Sequence, residues 1–509
     1  MRVTQGMIIN NSMNGLYNNM SGINKLYAQM STGKKIQTVS EDPIIAGRSL
    51  KLKSTVLETE QYESNVKEAN SWMEITEAAL KNMTEILKEI NTKCTEAANS
   101  TMNEENKNAI KTDIAQLAEQ LLQEANTTYN GRYVFSGYKT NEPLVLEKDM
   151  NLDSVLTVVK DMTVPSGTTA TPGSIVKDGS ELGEGTKLGK GTYIPGGSVL
   201  KAGTTVSKED AMYLLGFNLS GTHYNLDSDY TISEGTELSK EAAEELGLVA
   251  PGTLATGETF KITTSGGYKI PKGTSLTKNT AEETMGITPS AEKYTITEDI
   301  TLGGWHPLQG ELTLSKGSIL NGDVILRGDS VLGGGTVLKE DSTMQVGSKL
   351  PKGAFNPEVY GKIEGQSIAY EVGTNNTIDV NTLGMDTVLA ELMGSMEEII
   401  TMVDASQGDN PKYTVEELSK MFDKKLDEVK SISENISEKT ADLGSRMKRV
   451  EYVETRLVDQ KTTFTSLLSE TEDIDIEETY VQFNVQYSTY QSALQATSKV
   501  ITNTLADYL

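Results

Sequence analysis

The sequence predicts a multidomain α+β protein in which helical segments from both ends of the chain enclose a β-rich insert. Apolar residues recur at helical spacing at both ends, whereas glycine, threonine and serine dominate the middle. In that middle region an aliphatic residue returns at every sixth position. We expect three parts: a terminal helical assembly domain (1–39 and 474–509), a helical coiled-coil domain with a small β element (40–146 and 359–473), and an inserted variable β domain (147–358).

The amino-terminal segment carries an apolar stripe on an almost uncharged helix. Between Val3 and Gly33 the only charged residue is Lys25. Gly15 and Gly22 each destabilise a helix by up to about 1 kcal/mol, so the helix is expected to be marginal by itself. The stripe follows alternating spacings of four and three and consists of Ile9, Met13, Leu16, Met20, Ile23, Tyr27 and Met30.

The carboxyl-terminal segment has the same character. Between Thr479 and Leu505 its only charged residue is Lys499, although the chain holds 72 acidic and 46 basic residues. An unpaired charge inside a packed assembly loses its hydration without compensation. We therefore expect both segments to be assembly interfaces that become ordered mainly by burial between neighbouring subunits. The carboxyl-terminal interface residues are Tyr480, Phe483, Tyr487, Tyr490, Leu494, Ile501 and Tyr508.

A charged segment from about Thr414 to Glu470 predicts a long coiled-coil helix. Its expected partners are a helix capped by Asp42 with Pro43 in the first turn, and a shorter helix that contains Ile114. Cys94 has the spacing of a small buried hydrophobic residue. The heptad positions of the long helix are Val429, Ile436, Leu443, Val450, Leu457 and Phe464.

The insert contains two runs of a six-residue repeat, at residues 149–208 and 293–352. Each unit has a glycine or aspartate, then a small hydroxyl residue, then an aliphatic residue two positions later. The pattern resembles the hexapeptide repeat of left-handed β-helices, in which coils stack at the ordinary strand separation of about 4.8 Å. A β-sandwich with glycine-rich hairpins is the alternative. Breaks at about 209–222, 241–266 and 279–292 are expected to be excursions, some of them helical.

Composition argues against several functional classes. A net charge of -26 repels phosphate backbones and anionic lipid, so we expect neither nucleic-acid nor membrane binding. With two histidines and one cysteine we expect no catalytic site, cofactor or metal, and no enzyme. A loop histidine serves as the base in hexapeptide-repeat acyltransferases, but His306 is better explained as a surface or packing residue. The amino terminus lacks the pattern of a cleavable signal peptide.

Two stretches resemble a known family. QMSTGKKIQTVSEDPIIAGRSLKLKS resembles the amino-terminal signature of bacterial flagellins, and ADLGSRMKRVEYVETRLVDQ lies in a region similar to their carboxyl-terminal half. Within that family, NGRYVFSGYKTNEPLV and the ending SKVITNTLADYL are similar to the hook-associated members that join hook and filament. The resemblance covers both helical ends and does not cover the insert.

The resemblance implies a structural protein of the flagellum, an adaptor ring at the hook-filament junction. The implied partners are other copies of the chain, a hook-side hook-associated protein, flagellin, an export chaperone and the type III export apparatus. It also implies paired termini in an inner layer, an outward insert and an extracellular location reached without a cleaved signal peptide. The alternatives are a filament-forming flagellin with a large outer domain, or a surface adhesin or glycan-binding role of the insert.

Overall fold

The structure is a computed structural model in which the chain divides into two compact units. The first consists of Met1–Ser71, Ala369–Asp379 and Ser445–Leu509, and the second of Trp72–Ile368 and Val380–Gly444. The described residues are 5–98, 104–214, 217–220, 223–226, 229–232, 235–250, 258–264, 267–284, 293–296, 299–302, 306–405 and 415–501. Their helices are α1 (Gln5–Thr32), α2 (Pro43–Ala98), α3 (Glu104–Ala125), α4 (Lys208–Leu214), α5 (Lys240–Glu245), α6 (Lys278–Thr284), α7 (Met385–Ala405), α8 (Val415–Glu472) and α9 (Ile476–Ile501).

The long helices begin and pack as their sequences indicate. Pro43 is the first residue of α2, and the Asp42 carboxylate accepts the backbone N–H groups of Ile44 and Ile45 at 3.0 Å. In the first unit, the Lys461 ammonium of α8 pairs with Glu63 of α2. In the second unit α3 packs against α7, a helix the sequence analysis did not pair with it. The α8 heptad residues Val429, Ile436, Leu443, Val450 and Leu457 are buried, and Phe464 is half-buried.

Short strands recur throughout the insert. The strands before the second run are β1 (Thr128–Tyr129), β2 (Arg132–Tyr133), β3 (Met150–Asn151), β4 (Leu156–Thr157), β5 (Met162–Val164), β6 (Thr168–Ala170), β7 (Ile175–Val176), β8 (Lys187–Leu188), β9 (Tyr193–Ile194), β10 (Val199–Leu200), β11 (Thr205–Ser207), β12 (Phe217–Ser220), β13 (His223–Leu226), β14 (Tyr230–Ile232), β15 (Glu237–Ser239), β16 (Thr259–Lys261), β17 (Tyr268–Ile270) and β18 (Ser275–Thr277). The others are β19 (Lys293–Thr295), β20 (Ile300–Thr301), β21 (His306–Pro307), β22 (Leu312–Thr313), β23 (Val324–Ile325), β24 (Ser330–Leu332), β25 (Thr336–Leu338), β26 (Thr343–Met344), β27 (Lys349–Leu350), β28 (Ala369–Gly373) and β29 (Asn376–Asp379). Two strand pairs, β1 with β2 and β28 with β29, lie outside the insert.

The aliphatic positions of the six-residue repeat form the core of the insert. Their side chains are at most 8% exposed, which confirms the predicted inward positions. The buried positions of the first run are Leu152, Val158, Val164, Ala170, Val176, Leu182, Leu188, Ile194, Leu200 and Val206. Those of the second run are Ile296, Leu302, Leu308, Leu314, Leu320, Leu326, Leu332, Leu338, Met344 and Leu350.

The strand partners differ from those expected for coils of one run stacked on each other. Strands of the first run pair antiparallel with strands of the second, as in the eight-stranded sheet β19-β11-β22-β8-β24-β6-β27-β3. In one set of pairs the two residue numbers add up to 500, as for Leu200 with Ile300. In the other set they add up to 518, as for Lys187 with Val331. The offset of 18 residues equals three repeat units, so a strand inside the larger sheets has neighbours from the other run on both sides, as β8 has β22 and β24.

The small hydroxyl residues of the repeat join the two runs. The buried Thr186 hydroxyl donates to the Gly183 carbonyl at 2.7 Å and accepts the Gly333 N–H at 2.9 Å. In the second run, the Thr336 hydroxyl donates to the Gly333 carbonyl at 2.7 Å and accepts the Gly183 N–H at 2.9 Å. A Cβ on Gly183 would lie 2.2 Å from the Gly334 carbonyl oxygen, so only glycine allows this approach of the two backbones. The hydroxyl positions satisfy buried backbone groups at the corners.

His306 is a packing residue of the insert. Its ring is 2% exposed, and its Nε2 lies 2.8 Å from Oδ1 of Asp210. Asp210 also accepts the backbone N–H groups of Gln309 and Gly310, and the Tyr213 ring stacks on the imidazole at 4.3 Å. Burial alone raises the pKa of Asp210, but these hydrogen bonds outweigh it and lower that pKa. Because its ring is buried under Tyr213, His306 is better explained as a structural residue than as a catalytic base.

Aspartates at the corners of the insert connect the two runs by charge. Asp161 accepts the Glu340 N–H at 3.1 Å and the Lys339 ammonium at 2.6 Å. Asp299 and Asp323 make the same two contacts with a backbone N–H and a lysine of the first run. The lysine hydrogen bond is the main cause that lowers the pKa of all three carboxyl groups below 3.8.

We expect the insert to lose stability in acid because of these aspartates. A carboxyl group whose pKa is lower in the folded state stabilises the fold above its unfolded pKa, and this contribution disappears as the pH falls through the folded value. The triple variant Asp161→Asn, Asp299→Asn, Asp323→Asn should melt below wild type at pH 6. The difference between the two melting temperatures should shrink as the pH drops below 3.8, measured by circular dichroism. A difference that is constant from pH 6 to pH 2 would contradict the ionic origin.

Candidate assembly interface

The end of α1 is fixed to the link between α8 and α9 within the first unit. Gly33 has a φ of 72°, and its N–H closes the helix by donating to the Gln29 carbonyl at 2.8 Å. Lys34 then forms a β-bridge with Asp473, and Ile474 N–H donates to the Gly33 carbonyl at 3.0 Å. The carboxyl end of α1 and the start of α9 are thereby adjacent, so the two helices run antiparallel.

A buried carboxylate, Glu472, holds this junction. Its side chain is 11% exposed and lies 2.7 Å from the Lys53 ammonium and 3.6 Å from that of Lys34, and it accepts the Ser49 hydroxyl at 3.2 Å. Burial alone raises the pKa of Glu472, but these contacts outweigh it and lower that pKa. Lys34 also pairs with Asp473 at 2.7 Å, and this hydrogen bond raises the pKa of the lysine.

Helix α9 begins at a capping aspartate and packs along α1. The Asp475 carboxylate accepts the N–H groups of Glu477 and Glu478 at 3.0 and 3.1 Å. Along the contact, a Cβ on Gly22 would lie 2.7 Å from the Gln486 amide nitrogen, so the absence of a side chain at Gly22 gives Gln486 its place. The pairing of the two termini that the family resemblance implies is confirmed.

An apolar groove of about 320 Å³ runs between α1 and α9. Its lining carries no charged residue, and Leu16 is its most buried apolar side chain, at 9% exposure. Tyr17 and Met20 are exposed at its edge, at 63% and 49%. The lining residues are Met13, Leu16, Tyr17, Met20, Tyr490, Leu494, Thr497 and Ser498.

The structure divides the predicted interface residues into two groups. Those turned at least partly towards the paired helices are Ile9, Met13, Leu16, Ile23, Met30, Phe483 and Tyr490, of which Leu16 is buried and the rest are half-buried. Those exposed in the single chain are Met20, Tyr27, Tyr480, Tyr487 and Leu494. Ile501 ends α9 with an undescribed side chain, and Tyr508 lies outside the described residues. The pair therefore leaves a broad apolar surface uncovered.

Sequence reasoning missed several residues of that surface. Tyr17, Val481 and Val485 are 63%, 60% and 61% exposed on the same two helices. They lie outside the heptad positions, and a search for one stripe per helix passes over a second apolar face. Their neighbours in sequence are uncharged for the most part, and this lack of charge on all faces was the signal that could have found them.

Family models match the two ends of the chain. Residues 3–140 match the bacterial flagellin N-terminal helical region, and residues 426–509 match the C-terminal helical region. The two ends of this chain are similar to the terminal helical regions of bacterial flagellins. This result confirms the resemblance found in the sequence.

Curated relatives include hook-associated proteins. The chain is 35% identical over 141 residues to flagellar hook-associated protein 3 of Escherichia coli, covering 28% of this chain and 44% of that protein. The protein of the same name from Salmonella typhimurium is 33% identical, with the same coverage. The matched region thus spans less than half the length of these relatives. The families and names found are those of structural flagellar proteins, which confirms the prediction that the chain is not an enzyme.

Solved structures give weaker likenesses. A putative flagellar hook-associated protein from Vibrio parahaemolyticus is 9% identical with a TM-score of 0.38, covering 85% of this chain and 100% of that chain. FlgL from Bacillus cereus is 10% identical with a TM-score of 0.31, covering 82% and 99%. With TM-scores below 0.5, these likenesses carry no weight for function. Among the described helices, none has both the length and the apolar composition to cross a membrane.

We expect Glu472→Gln to loosen the junction of α1 and α9. The neutral amide loses the attraction of two ammonium groups, and hydrogen bonds to charged groups contribute about 1.5–3 kcal/mol each. Amide hydrogen exchange at residues 26–35 and 474–482 should become at least about tenfold faster. Glu470→Gln is the matched control, because Glu470 is exposed two positions away and should leave exchange unchanged. Equal exchange in both variants would show that Glu472 does not hold the junction.

Proposed function

We propose that this protein is a structural adaptor at the hook-filament junction of the bacterial flagellum, where copies of the chain form a ring. The observation that carries the proposal is the uncharged apolar surface left open along the α1–α9 pair. Tyr480, Tyr487 and Leu494 are 55%, 45% and 42% exposed there. Large exposed apolar surfaces of this kind are typical of protein contact sites.

The physical argument is that neighbouring subunits complete the burial that α1 and α9 begin. Each helix covers one face of the other, and the remaining faces carry aromatic, aliphatic and short polar side chains. Since these faces hold almost no charge, they enter a packed contact without the cost of desolvating ions. Burial of such side chains contributes about 25 cal/mol per Å² of apolar surface removed from water. Assembly thus stabilises helices that are marginal alone.

The position in the flagellum sets the partners. The proposed ring contacts a hook-side hook-associated protein on one side and flagellin on the other. Export of the unfolded chain through the flagellar type III apparatus, with a cytosolic chaperone on the carboxyl-terminal helices, brings the protein to the extracellular side. Support for this placement is the similarity to hook-associated protein 3 of two species.

For the insert we infer a three-sided solenoid in which the two runs wind together in opposite directions. The offset of 18 residues between the two pairing registers equals one turn of three six-residue sides. The first side is the eight-stranded sheet, and the second contains β23-β7-β26-β4. The third contains β5 with β25 and β10 with β20. In such a solenoid the strands of the two runs pair with each other along its length, and the residues at the corners face the solvent.

A filament-forming flagellin with a large outer domain is the second candidate. It is favoured by a similarity of 25% identity over 150 residues to a flagellin of Clostridium tyrobutyricum. The two candidates differ in self-assembly, because a filament protein polymerises without limit and a junction protein stops at a ring. Growth of long filaments from the purified chain would favour this candidate.

The location of the protein in intact flagella tests the proposal. Immunogold labelling should give a band at the distal end of the hook, and deletion of the gene should leave hooks without filaments and release flagellin into the medium. Labelling along the whole filament, or normal filaments in the deletion strain, would overturn the junction role.

We expect charges in the exposed surface to prevent assembly without unfolding the subunit. The double variant Tyr480→Asp, Tyr487→Asp should retain the wild-type circular dichroism spectrum, because both side chains are exposed in the single chain. Its attachment to hooks should fall at least about tenfold, since two carboxylates must then be buried between subunits. Attachment is measured by quantitative immunoblotting of purified hook preparations.

The matched control is Val346→Asp, Val159→Asp, which places two carboxylates on apolar residues of the insert that are 55% and 49% exposed. This variant should attach to hooks as the wild type does. If both variants attach normally, the α1–α9 surface is not the assembly interface.

A further inference from the structure

The pairing between the two runs of the insert is interrupted at one place on the third side. Glu181 bridges Val337 and Ile319 bridges Val199. Glu181 and Ile319 satisfy the register in which residue numbers add up to 500, yet no pairing joins them in the described chain. The two segments are therefore neighbours in the solenoid that have separated from each other.

The backbone hydrogen bonds locate the ends of the opening. One repeat unit before it, Gly173 N–H donates to the Leu326 carbonyl at 2.6 Å, and one unit after it, Gly185 N–H donates to Leu314 at 3.0 Å. The equivalent bond between Gly179 and Leu320 is absent from the described structure. The opening is thus one repeat unit long and closed at both ends.

A shift in the corner residue explains the separation. In the second run the glycines at 317, 335, 347 and 353 have positive φ in phase with the repeat, whereas Gly322, with a φ of 78°, is one residue out of phase. Its N–H donates to the Asp178 carboxylate at 2.6 Å, and the Asp323 carboxylate accepts the Asp178 N–H at 3.0 Å. The corner is held by these two aspartates, and the segment that precedes it leaves the ladder.

The opening forms a cavity of about 490 Å³, a size within the range of ligand sites. Its floor is apolar, because Leu182 and Leu320 of the solenoid core line it. One wall is helix α7, which contributes Glu398 and Thr401. The acidic lining residues are Asp178, Glu181, Glu184 and Glu398, of which Glu398 pairs with Lys425 at 2.6 Å, and the lining holds a single basic residue, Lys316.

This combination selects one kind of occupant. An apolar floor under an acidic rim suits a side chain with an aliphatic stem and a cationic head. Among such groups the guanidinium of arginine is planar and donates to carboxylates and carbonyls in several directions. An added β-strand fits less well, because the two runs rejoin one repeat unit to either side and leave no open edge for a strand to extend along.

The geometry points to a binding site for an arginine side chain of a second polypeptide in this opening of the insert. The acidic rim attracts the cation, Glu181 and Glu184 supply two of the carboxylates of that rim, and the stem lies on Leu182 and Leu320. The site would give the insert a partner of its own. This inference is independent of the junction assignment, because every lining residue belongs to the second unit and none to α1 or α9.

Titration of the full-length protein with the peptide acetyl-Gly-Arg-Gly-amide tests the site. The peptide in which citrulline replaces arginine has nearly the same shape without the charge, and it should bind at least about tenfold more weakly. Binding of the arginine peptide, followed by isothermal titration calorimetry, should also weaken as the salt concentration rises. Equal affinity for the two peptides, or no binding of the arginine peptide at millimolar concentration, would overturn the inference.

Variants of the rim locate the binding. The double variant Glu181→Gln, Glu184→Gln should lower the affinity for the arginine peptide at least about tenfold, because it removes two charged acceptors. The matched control is Glu340→Gln, an exposed acid of the insert that does not line the cavity, and it should bind as the wild type does. Melting curves confirm that both variants are folded. Unchanged affinity in the folded double variant would show that the peptide binds elsewhere.

Discussion

The terminal helices of this protein depend on one constraint: they carry apolar side chains on several faces and almost no charge. In water such helices are marginal, and α1 with α9 can bury only the faces they turn to each other. Leu16 is buried in this pair, while Tyr27 and Tyr480 stay exposed. The uncovered surface is what an assembly protein requires, since contacts without ions form without the cost of desolvating charge.

A buried carboxylate anchors the pair at its base. Glu472, the last residue of α8, gathers Lys53, Lys34 and Ser49 at the point where the chain turns into α9. A partly exposed ion pair contributes little, but a carboxylate that is nearly buried and fully hydrogen-bonded fixes geometry. The charges that the terminal helices avoid are thus concentrated at their base, where each has a partner.

The insert is stabilised in a different way, by many short repeats. Two-residue strands provide few hydrogen bonds each, so stability comes from repetition and from the buried aliphatic column. Because strands of the two runs pair antiparallel, strands separated by about 200 residues in sequence are direct neighbours, as Met150 is of Leu350. Buried hydroxyls such as that of Thr186 complete the corners, and the missing pairing between Glu181 and Ile319 leaves a cavity that no repeat unit fills.

The sequence by itself determined the helices, the six-residue period and the inward aliphatic positions, because these follow from local spacing. The start of α2 at Asp42 and Pro43 and the heptad of α8 could be predicted for the same reason. Only the tertiary structure decided which strands pair, because a six-residue period suits a neighbour in its own run as well as one in the other run. It also decided that Tyr480 and Tyr487 stay exposed while Phe483 and Tyr490 turn partly inward. An apolar stripe in the sequence does not show how much of it the partner helix covers.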